Sequence, residues 1–340
     1  MAELSRRTAI LTAAAAAALP APALARARWD RDGLGAVRAE ARALEVKGLV
    51  VLSGGKTVVS DGDVTAADRI ASCRKSFLSA LYGMAVRDSR IDLDLTLKDV
   101  GIDDYQPLTP VELKATVRDL LQARSGVYIP SSAETPAMKA ARPARGSHPP
   151  GTFWYYNNWD FNVLAEIYQR LTGLSFFTAF EHYLARPLGF QDYDPLKHGR
   201  FAYDANAPRF AAYNLWLSAR DMAKFGQLFL QEGRWQGREI VPQAWVAEST
   251  RVVSRAGGSG ILSGYGYMWW ADADPAASGL PPGSYAAAGN GGRYIAVMPA
   301  IDTVVAIQSW EREGQPQAKL YTQAGALDGL LKRLVAARRL

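Results

Sequence analysis

The chain has 340 residues, of which 49% are hydrophobic and 21% are charged, a composition that is ordinary for a globular enzyme. Its formal charge of +6 comes from scattered basic residues, so the sequence shows no basic stripe of the kind that binds nucleic acid. The only cysteine, Cys73, excludes an internal disulfide and a multi-cysteine metal site. The histidines His148, His182 and His198 lie far apart and lack metal-ligand spacing, which argues against a zinc hydrolase. No metal or organic cofactor is implied by the sequence.

Residues 1–27 have the features of an export signal. The arginines Arg6 and Arg7 precede an alanine-rich apolar run, and Ala23-Leu24-Ala25 offers a cleavage site. Adjacent arginines favour the twin-arginine route, with a Sec-type signal as the alternative. The apolar run is shorter than the ~20 residues of a membrane span. We therefore expect a periplasmic or secreted protein with no stable membrane insertion after the signal is removed.

The next segment combines a helix with a hairpin. Residues 30–46 place apolar side chains on one helical face. Two β-branched runs, at 48–52 and 57–59, flank the turn sequence Ser53-Gly54-Gly55-Lys56. This arrangement predicts a tight β-hairpin.

Ser72 and Lys75 stand three residues apart at the start of an apolar helical run that contains Phe77 and Leu81. On a helix this spacing puts both side chains on one face, about 5–6 Å apart at Cβ. A serine hydroxyl becomes nucleophilic when a neighbouring base accepts its proton, and a lysine of lowered pKa is such a base. The alternative is an N-cap serine followed by a solvated lysine.

In the remainder of the chain, the predicted secondary structure changes from helices to strands. Helical periodicity dominates from about 90 to 260, strands follow from about 283, and an amphipathic helix closes the chain with Leu327, Leu330, Leu331 and Leu334 on one face. Strands near both ends around a helical middle predict an α+β fold, in which one antiparallel sheet is built from both termini and flanked by helices. We expect an α/β domain formed by residues 28–95 and 262–340, an inserted helical domain at 96–261, and an active site between them.

A second motif lies in the aromatic stretch from Pro150 to Leu164. Together with the S-x-x-K pattern of Ser72 and Lys75, this stretch resembles the class C β-lactamase-like serine hydrolases, whose second motif is Tyr-x-Asn after Pro-Gly. The family includes β-lactamases, D-alanyl-D-alanine carboxypeptidases, family VIII esterases and nylon-oligomer hydrolases. Two registers fit, one with Tyr155 and Asn157 and one with Tyr156 and Asn158. Counting from Pro150 favours the second.

The resemblance implies roles for these residues. Ser72 would be the nucleophile, Lys75 and Tyr156 would manage its proton, and Asn158 would hold Lys75 and contact the substrate. A phenol flanked by ammonium groups is itself a possible base. The neighbouring aromatic residues Tyr155 and Trp159 are expected to line the substrate site.

The third motif departs from the family pattern. The family usually carries Lys-Thr-Gly or His-x-Gly on the strand beside the nucleophile, whereas this chain has Ala286-Ala287-Ala288-Gly289-Asn290-Gly291. Gly289, Asn290 and Gly291 are expected to contact the substrate, and a backbone N–H there should complete an oxyanion hole with the N–H of Ser72. The cation that binds a substrate carboxylate is missing, although Arg293 is close in sequence. An uncharged ester or amide is therefore the favoured substrate.

The sequence thus predicts an exported serine hydrolase that cleaves a small ester or amide through an acyl-enzyme on Ser72. Two alternatives stay open: a β-lactamase or D-alanyl-D-alanine carboxypeptidase activity, and a catalytically silent binding protein on the same fold. The expected partner is a small molecule and not a nucleic acid, and the sequence leaves the oligomeric state open.

Overall fold

The computed structural model describes residues 28–204, 209–310, 319–323 and 325–339, so the predicted export signal at 1–27 lies outside the described residues. The α-helices are α1 (Arg31–Ala43), α2 (Arg74–Arg87), α3 (Leu97–Val100), α4 (Val117–Leu121), α5 (Pro136–Ala141), α6 (Asn158–Thr172), α7 (Phe176–Phe180), α8 (Ala219–Leu230), α9 (Gln243–Thr250), α10 (Pro275–Ser278), α11 (Lys319–Thr322) and α12 (Ala326–Ala336). The strands are β1 (Arg28–Trp29), β2 (Val46–Ser53), β3 (Lys56–Gly62), β4 (Asp68–Arg69), β5 (Gly199–Ala202), β6 (Ala212–Leu217), β7 (Arg234–Trp235), β8 (Arg238–Glu239), β9 (Ser254–Arg255), β10 (Gly264–Tyr265), β11 (Trp270–Ala271), β12 (Tyr285–Gly289), β13 (Arg293–Met298), β14 (Thr303–Ser309) and β15 (Arg338–Arg339).

The central feature is an eight-stranded sheet in the order β3-β2-β14-β13-β12-β11-β10-β9, with antiparallel neighbours throughout. The predicted hairpin is confirmed as β2 and β3, joined by Gly54 and Gly55 with φ of 57° and 70°, a conformation that glycine adopts without strain. Its strand β2 pairs with β14 near the other end of the chain. This pairing confirms the predicted α+β fold with an antiparallel sheet drawn from both ends of the sequence.

Two helices from opposite ends of the chain cover one face of this sheet. Helix α12 buries the four leucines predicted from their spacing, and helix α1 buries Leu34, Val37 and Ala41 beside them. Helix α1 begins after Asp30, whose carboxylate accepts a hydrogen bond from the Gly33 N–H at 2.9 Å, as an N-cap residue does. The sheet and these two helices form one of the two hydrophobic cores.

The other face of the sheet carries α8 and α2. Helix α8 lies so close to the sheet that a Cβ on Gly226 would stand 2.5 Å from Val304 Cγ1 and 2.8 Å from Ile295 Cγ2. Both α8 and the edge strand β9 belong to the segment 96–261 that the sequence assigned to a helical domain. The boundary at 261/262 therefore needs correction, because the sheet and its covering layer draw on residues from within that segment.

Helix α2 is the central helix of the second core. Its residues from Arg74 to Ala85 are buried on every side, as expected for a helix enclosed by other elements. Phe77 stacks on Phe225 of α8 at a centroid distance of 3.8 Å, and a Cβ on Gly83 would meet the ring of Trp245 at 2.3 Å. Burying one such aromatic or leucine side chain is worth roughly 1.5–3 kcal/mol. The position of α2, and of the residues at its start, is thus fixed by packing.

Within the described residues, none of the helices is long and apolar enough to cross a membrane.

Candidate active site

Ser72 lies in a 3₁₀ turn formed by Ala71–Cys73, which leads directly into α2. The residue before it, Ala71, has a φ of 48°, a left-handed conformation that is strained for a residue with a Cβ. Arg74 Nη1 donates a hydrogen bond to the Ala71 carbonyl oxygen at 3.0 Å and so fastens this turn to the helix. The strained turn presents the Ser72 side chain at the edge of the core, where it is half-buried.

The amine of Lys75 lies at the centre of a cluster of polar atoms. Its Nζ is 3.1 Å from Ser72 Oγ, 2.6 Å from the Tyr156 hydroxyl and 2.7 Å from Asn158 Oδ1. The lysine is 1% exposed, and it makes no ion pair with any carboxylate among the described residues. Its Nζ also stands 4.1 Å from the ring centroid of Tyr156 and 4.2 Å from that of Phe161.

The start of α6 determines which tyrosine and which asparagine reach Lys75. Asn157 is the N-cap residue, and its Oδ1 accepts from the Trp159 N–H at 3.2 Å. Its Nδ2 donates to Val127 O at 2.7 Å and to Asp160 Oδ1 at 2.8 Å, so the hydrogen-bonding groups of this side chain are engaged within the protein. Asn158 follows as the first helical residue, and its Oδ1 accepts a hydrogen bond from Lys75 Nζ. The Tyr156 hydroxyl accepts a second hydrogen bond from the same amine. The structure therefore brings together Tyr156 and Asn158, the register favoured by the sequence, and leaves Tyr155 and Asn157 apart from the cluster.

A buried carboxyl group holds the start of α6 in place through hydrogen bonds. Asp160 is 0% exposed, and its Oδ1 accepts from Ser125 Oγ at 2.5 Å and from Asn157 Nδ2 at 2.8 Å. The backbone N–H of Ser125 adds a contact of 3.4 Å to its other oxygen. Donors that lose a buried acceptor are left unsatisfied, which is more costly than the net gain of a hydrogen bond.

Substitution of Asp160 by alanine is expected to lower the free energy of unfolding by about 2–4 kcal/mol, because Ser125 and Asn157 would lose their buried acceptor. Urea unfolding followed by circular dichroism measures the change. The matched control is Asp160→Asn, which keeps one acceptor oxygen and the side-chain volume, and should cost less than half as much. Equal losses in the two variants would show that the hydrogen bonds to Oδ1 are not what the carboxyl group contributes.

The protonation states of Lys75 and Tyr156 follow from their surroundings. Burial, together with the neighbouring positive charge of Arg74, holds the pKa of Lys75 well below its usual range. Burial raises the pKa of Tyr156 to about 12, although Ser72 and Arg74 act in the opposite direction. The two aromatic rings favour the ammonium form of Lys75, but a contact of this kind is worth about 2 kcal/mol, less than the cost of burying an unpaired ammonium. The lowered pKa favours the neutral amine of Lys75, the form that can accept a proton, whereas Tyr156 remains a phenol at neutral pH.

Ser72, Tyr156 and Asn158 open onto a cavity of about 380 Å³, a size suited to a small molecule. Small and apolar side chains supply much of its wall. Trp270 stacks over Tyr156 at a centroid distance of 5.3 Å and forms part of that wall. The lining residues are Arg69, Ala71, Ser72, Arg74, Ala133, Thr135, Ala137, Met138, Tyr156, Asn158, Asn214, Leu262, Trp270, Ala288, Gly289, Asn290 and Tyr294.

The third-motif strand β12 forms the far side of this cavity. Gly289 and Asn290 line it, whereas Gly291, at a φ of 85°, lies in the turn to β13 and does not. A Cβ on Gly289 would stand 2.4 Å from the carbonyl oxygen of Ile70, which shows how closely the strand approaches the turn before Ser72. Arg293 does not replace the missing cation, because Nη1 donates to Asn290 O at 2.7 Å and Nη2 to Trp310 O at 3.2 Å, outside the cavity wall.

The two aromatic residues expected to line the substrate site lie elsewhere. Trp159 is 1% exposed, and its Nε1 donates to Asp104 Oδ2 at 2.8 Å within the core. The Tyr155 hydroxyl donates to Met138 O at 2.8 Å, and its ring packs edge-on against Tyr128. Neither side chain reaches the cavity, so both expectations need correction. Each ring is held by packing and by one hydrogen bond to the protein.

Several residues of the cavity wall were not singled out from the sequence, among them Trp270 and Arg74. Trp270 belongs to an aromatic stretch that gave no sign of facing a pocket. Arg74 stands between Ser72 and Lys75 in the sequence, where an arginine is expected to be solvated, yet it is 3% exposed and lines the cavity. Its position inside the S-x-x-K motif is the signal that could have identified it.

A protein-family model matches most of the chain. The protein-family model described as "Beta-lactamase" matches residues 23–327. The chain is 28% identical, over 174 residues, to the 6-aminohexanoate-dimer hydrolase of Paenarthrobacter ureafaciens; the match covers 49% of this chain and 41% of the hydrolase. The chain thus spans about two fifths of that relative's length.

Among the described residues there is no group of three or more His, Cys, Asp and Glu side chains that could hold a metal ion.

Solved structures share the fold at low sequence identity. The octameric penicillin-binding protein homologue from Pyrococcus abyssi superposes with a TM-score of 0.63 at 18% identity, covering 88% of this chain and 77% of that chain. The penicillin binding protein from Bacillus halodurans gives a TM-score of 0.62 at 16% identity, covering 88% and 99%. At these identities the likeness establishes the fold alone.

Proposed function

The chain belongs to the beta-lactamase family of serine hydrolases, and we propose that it cleaves a small ester or amide through an acyl-enzyme on Ser72. The observation that supports this most is the position of the Lys75 amine, 3.1 Å from Ser72 Oγ and 2.6 Å from the Tyr156 hydroxyl, two residues that line a cavity. A nucleophile, a base and a second proton carrier within hydrogen-bond reach of each other are the arrangement that covalent catalysis requires.

The reaction proceeds in two halves. Ser72 Oγ forms a bond to the substrate carbonyl carbon while its proton passes to Lys75 Nζ. Backbone N–H groups of Ser72 and of the end of β12 stabilise the oxyanion. The tetrahedral species then releases the leaving group, which receives the proton through Lys75 and Tyr156. In the second half, a water molecule attacks the carbonyl carbon of the acyl-enzyme and gives its proton to the same Lys75–Tyr156 pair. The bond to Ser72 Oγ then breaks, the proton returns to Ser72 Oγ, and the carboxylic acid is released.

The substrate class is narrowed by the third motif. Strand β12 carries no Lys or His at the position where related enzymes bind a carboxylate, and Arg293 is engaged with backbone carbonyls. These features favour an uncharged ester or a linear amide over a β-lactam. The printed name of the Paenarthrobacter relative, a hydrolase of an amino-acid dimer, supports the linear amide as a candidate.

β-Lactamase or D-alanyl-D-alanine carboxypeptidase activity is the first alternative, supported by the family alone. A catalytically silent binding protein is the second, and the altered third motif is its support. The clustering of four residues argues against a protein that only binds, because the loss of any one of them would suffice to abolish catalysis. These residues are Ser72, Lys75, Tyr156 and Asn158.

A labelling experiment followed by a substrate panel tests the proposal. A fluorophosphonate probe should attach to Ser72 of the wild-type protein and leave Ser72→Ala unlabelled, as read by intact-protein mass and peptide mapping. Turnover of p-nitrophenyl esters, a linear amide and nitrocefin then ranks the substrate classes, with the ester or amide expected first. Absence of both labelling and turnover would favour the silent binding protein, and rapid nitrocefin hydrolysis would favour the β-lactamase.

We also propose that the protein acts outside the cytoplasm. The support is the sequence alone: adjacent arginines, an alanine-rich run and a cleavage site within residues 1–27. Cell fractionation, with N-terminal sequencing of the mature chain, is the test. Substitution of Arg6 and Arg7 by lysine should block export by the twin-arginine route and leave export by the Sec route unchanged.

A further inference from the structure

We propose that Arg74 is a positioning residue for the acylation step, acting as a fixed buried cation beside Lys75 and Tyr156 and as the anchor of the turn before Ser72. The inference rests on the proposed function, because it concerns how the acyl-enzyme on Ser72 is formed. It adds to that function a residue whose identity is not part of the S-x-x-K pattern.

The first observation is the isolation of the Arg74 charge. The side chain is 3% exposed, and its guanidinium carbon lies 4.8 Å from the ring centroid of Tyr213. It forms no ion pair with any of the described residues, and its Nε and Nη2 atoms are buried without a hydrogen-bond partner there. A buried charge with no counterion is destabilising to the fold, so the presence of Arg74 is better explained by a role other than stability.

The second observation is the set of groups that face this charge. Arg69 approaches from β4, Tyr213 from β6 and Tyr156 from the segment before α6, while Cys73 and Lys75 are its chain neighbours. No carboxylate is hydrogen-bonded to Lys75 or Arg74 in the described part of the chain. The guanidinium therefore disfavours a second positive charge on Lys75 and favours negative charge that develops on the Ser72 or Tyr156 oxygen.

The third observation is the hydrogen bond to the strained turn. Arg74 Nη1 donates to the carbonyl oxygen of Ala71, whose φ is 48°. This bond helps to hold the conformation that places the Ser72 N–H and hydroxyl beside the end of β12. Because Nε and Nη2 are buried and Nη1 is hydrogen-bonded to Ala71 O, Arg74 acts through Lys75 and this turn, even though its side chain forms part of the cavity wall.

These observations together explain how the site functions without a cation on its third strand. In this chain β12 presents alanine and glycine at that position, and Arg293 is engaged with Asn290 and Trp310. Arg74 supplies the fixed positive charge from the helix that follows the nucleophile.

The experiment is the pH profile of kcat/KM for a p-nitrophenyl ester in wild type, Arg74→Gln and Arg74→Met. Glutamine removes the charge and can still donate to Ala71 O, whereas methionine removes both. In each variant Lys75 should hold its proton to higher pH. The acid limb should therefore move to higher pH, with the loss of rate about tenfold larger at about pH 6 than at about pH 9. Arg74→Met should lose further rate at every pH, because its turn is released.

The control is Arg87→Met, which removes the same charge from the exposed end of the same helix and should leave the profile unchanged. A wild-type acid limb in Arg74→Gln, with fluorophosphonate labelling of Ser72 intact, would overturn the role of Arg74 and leave the proposed function standing. A wild-type protein that neither labels nor turns over would overturn both. Arg74→Gln retains a polar side chain of similar reach, and it carries the test if Arg74→Met does not fold.

Discussion

Replacement of Lys75 by alanine is expected to lower kcat/KM for a reactive ester by about 100-fold or more, the range of a lost proton transfer. The reason is that no other neutral base lies within hydrogen-bond reach of Ser72 Oγ among the described residues: Tyr156 is held as a phenol by its raised pKa, and Asn158 has no basic group. The measurement is the initial rate of ester hydrolysis at substrate concentrations well below KM, with Ser72→Ala as the inactive reference.

A second variant separates the base from its charge. Lys75→Arg keeps a positive charge that is not lost at any accessible pH, so it should be about as slow as Lys75→Ala if the residue must accept a proton. In the wild-type enzyme, kcat/KM should fall as the pH drops through the lowered pKa of Lys75, because only the unprotonated amine can act. High activity in Lys75→Arg would show that the proton acceptor lies elsewhere.

Tyr156→Phe examines the same transfer from the other side. The hydroxyl lies 2.6 Å from Lys75 Nζ and is the proton carrier toward the leaving group, so we expect roughly a 100-fold loss or more. An ester with an acidic leaving group, which departs without protonation, should lose less than one with a basic leaving group. Equal losses with both leaving groups would place Tyr156 in the attack on the carbonyl and not in the departure step.

The parts of this site that local rules govern could be predicted from the sequence. The spacing of Ser72 and Lys75 translates directly into adjacency, because a helical turn brings residues three apart onto one face. The hairpin of β2 and β3 follows from its glycine turn, and α12 follows from its leucine spacing. Counting from Pro150 favoured Tyr156 over Tyr155, and the structure gives the physical reason, because Asn157 is the N-cap residue of α6.

The parts that depend on long-range packing could not be predicted. An aromatic side chain buries as well against the core as against a ligand, so the sequence could not distinguish Trp159 from Trp270. The burial of Arg74 contradicts the usual preference of arginine for solvent and is visible only once β6 brings Tyr213 over it. Likewise, the direction of Arg293 depends on carbonyl groups that lie 3 and 17 residues away.

The approach of β12 to the nucleophile gives a further prediction, in which Gly289→Ala lowers kcat/KM by about 100-fold or more. The backbone of Gly289 is in a conformation open to any residue, so the substitution brings no local strain. Its new Cβ would stand 2.4 Å from Ile70 O and 3.3 Å from Ala71 Cβ, and the first of these contacts cannot be relieved by a side-chain rotation.

The strand must therefore move away from the turn that carries Ser72, and the two sources of oxyanion N–H groups separate. Removal of one oxyanion donor typically costs about 10²–10³ in rate, which sets the expected size of the effect. The matched control is Gly35→Ala in α1, the same change at a glycine with no neighbouring atom within 4 Å, which should leave the rate unchanged. Rates of ester hydrolysis and of fluorophosphonate labelling should fall together in Gly289→Ala, while circular dichroism stays that of the wild type. A folded Gly289→Ala that labels at the wild-type rate would show that the end of β12 is not part of the oxyanion site.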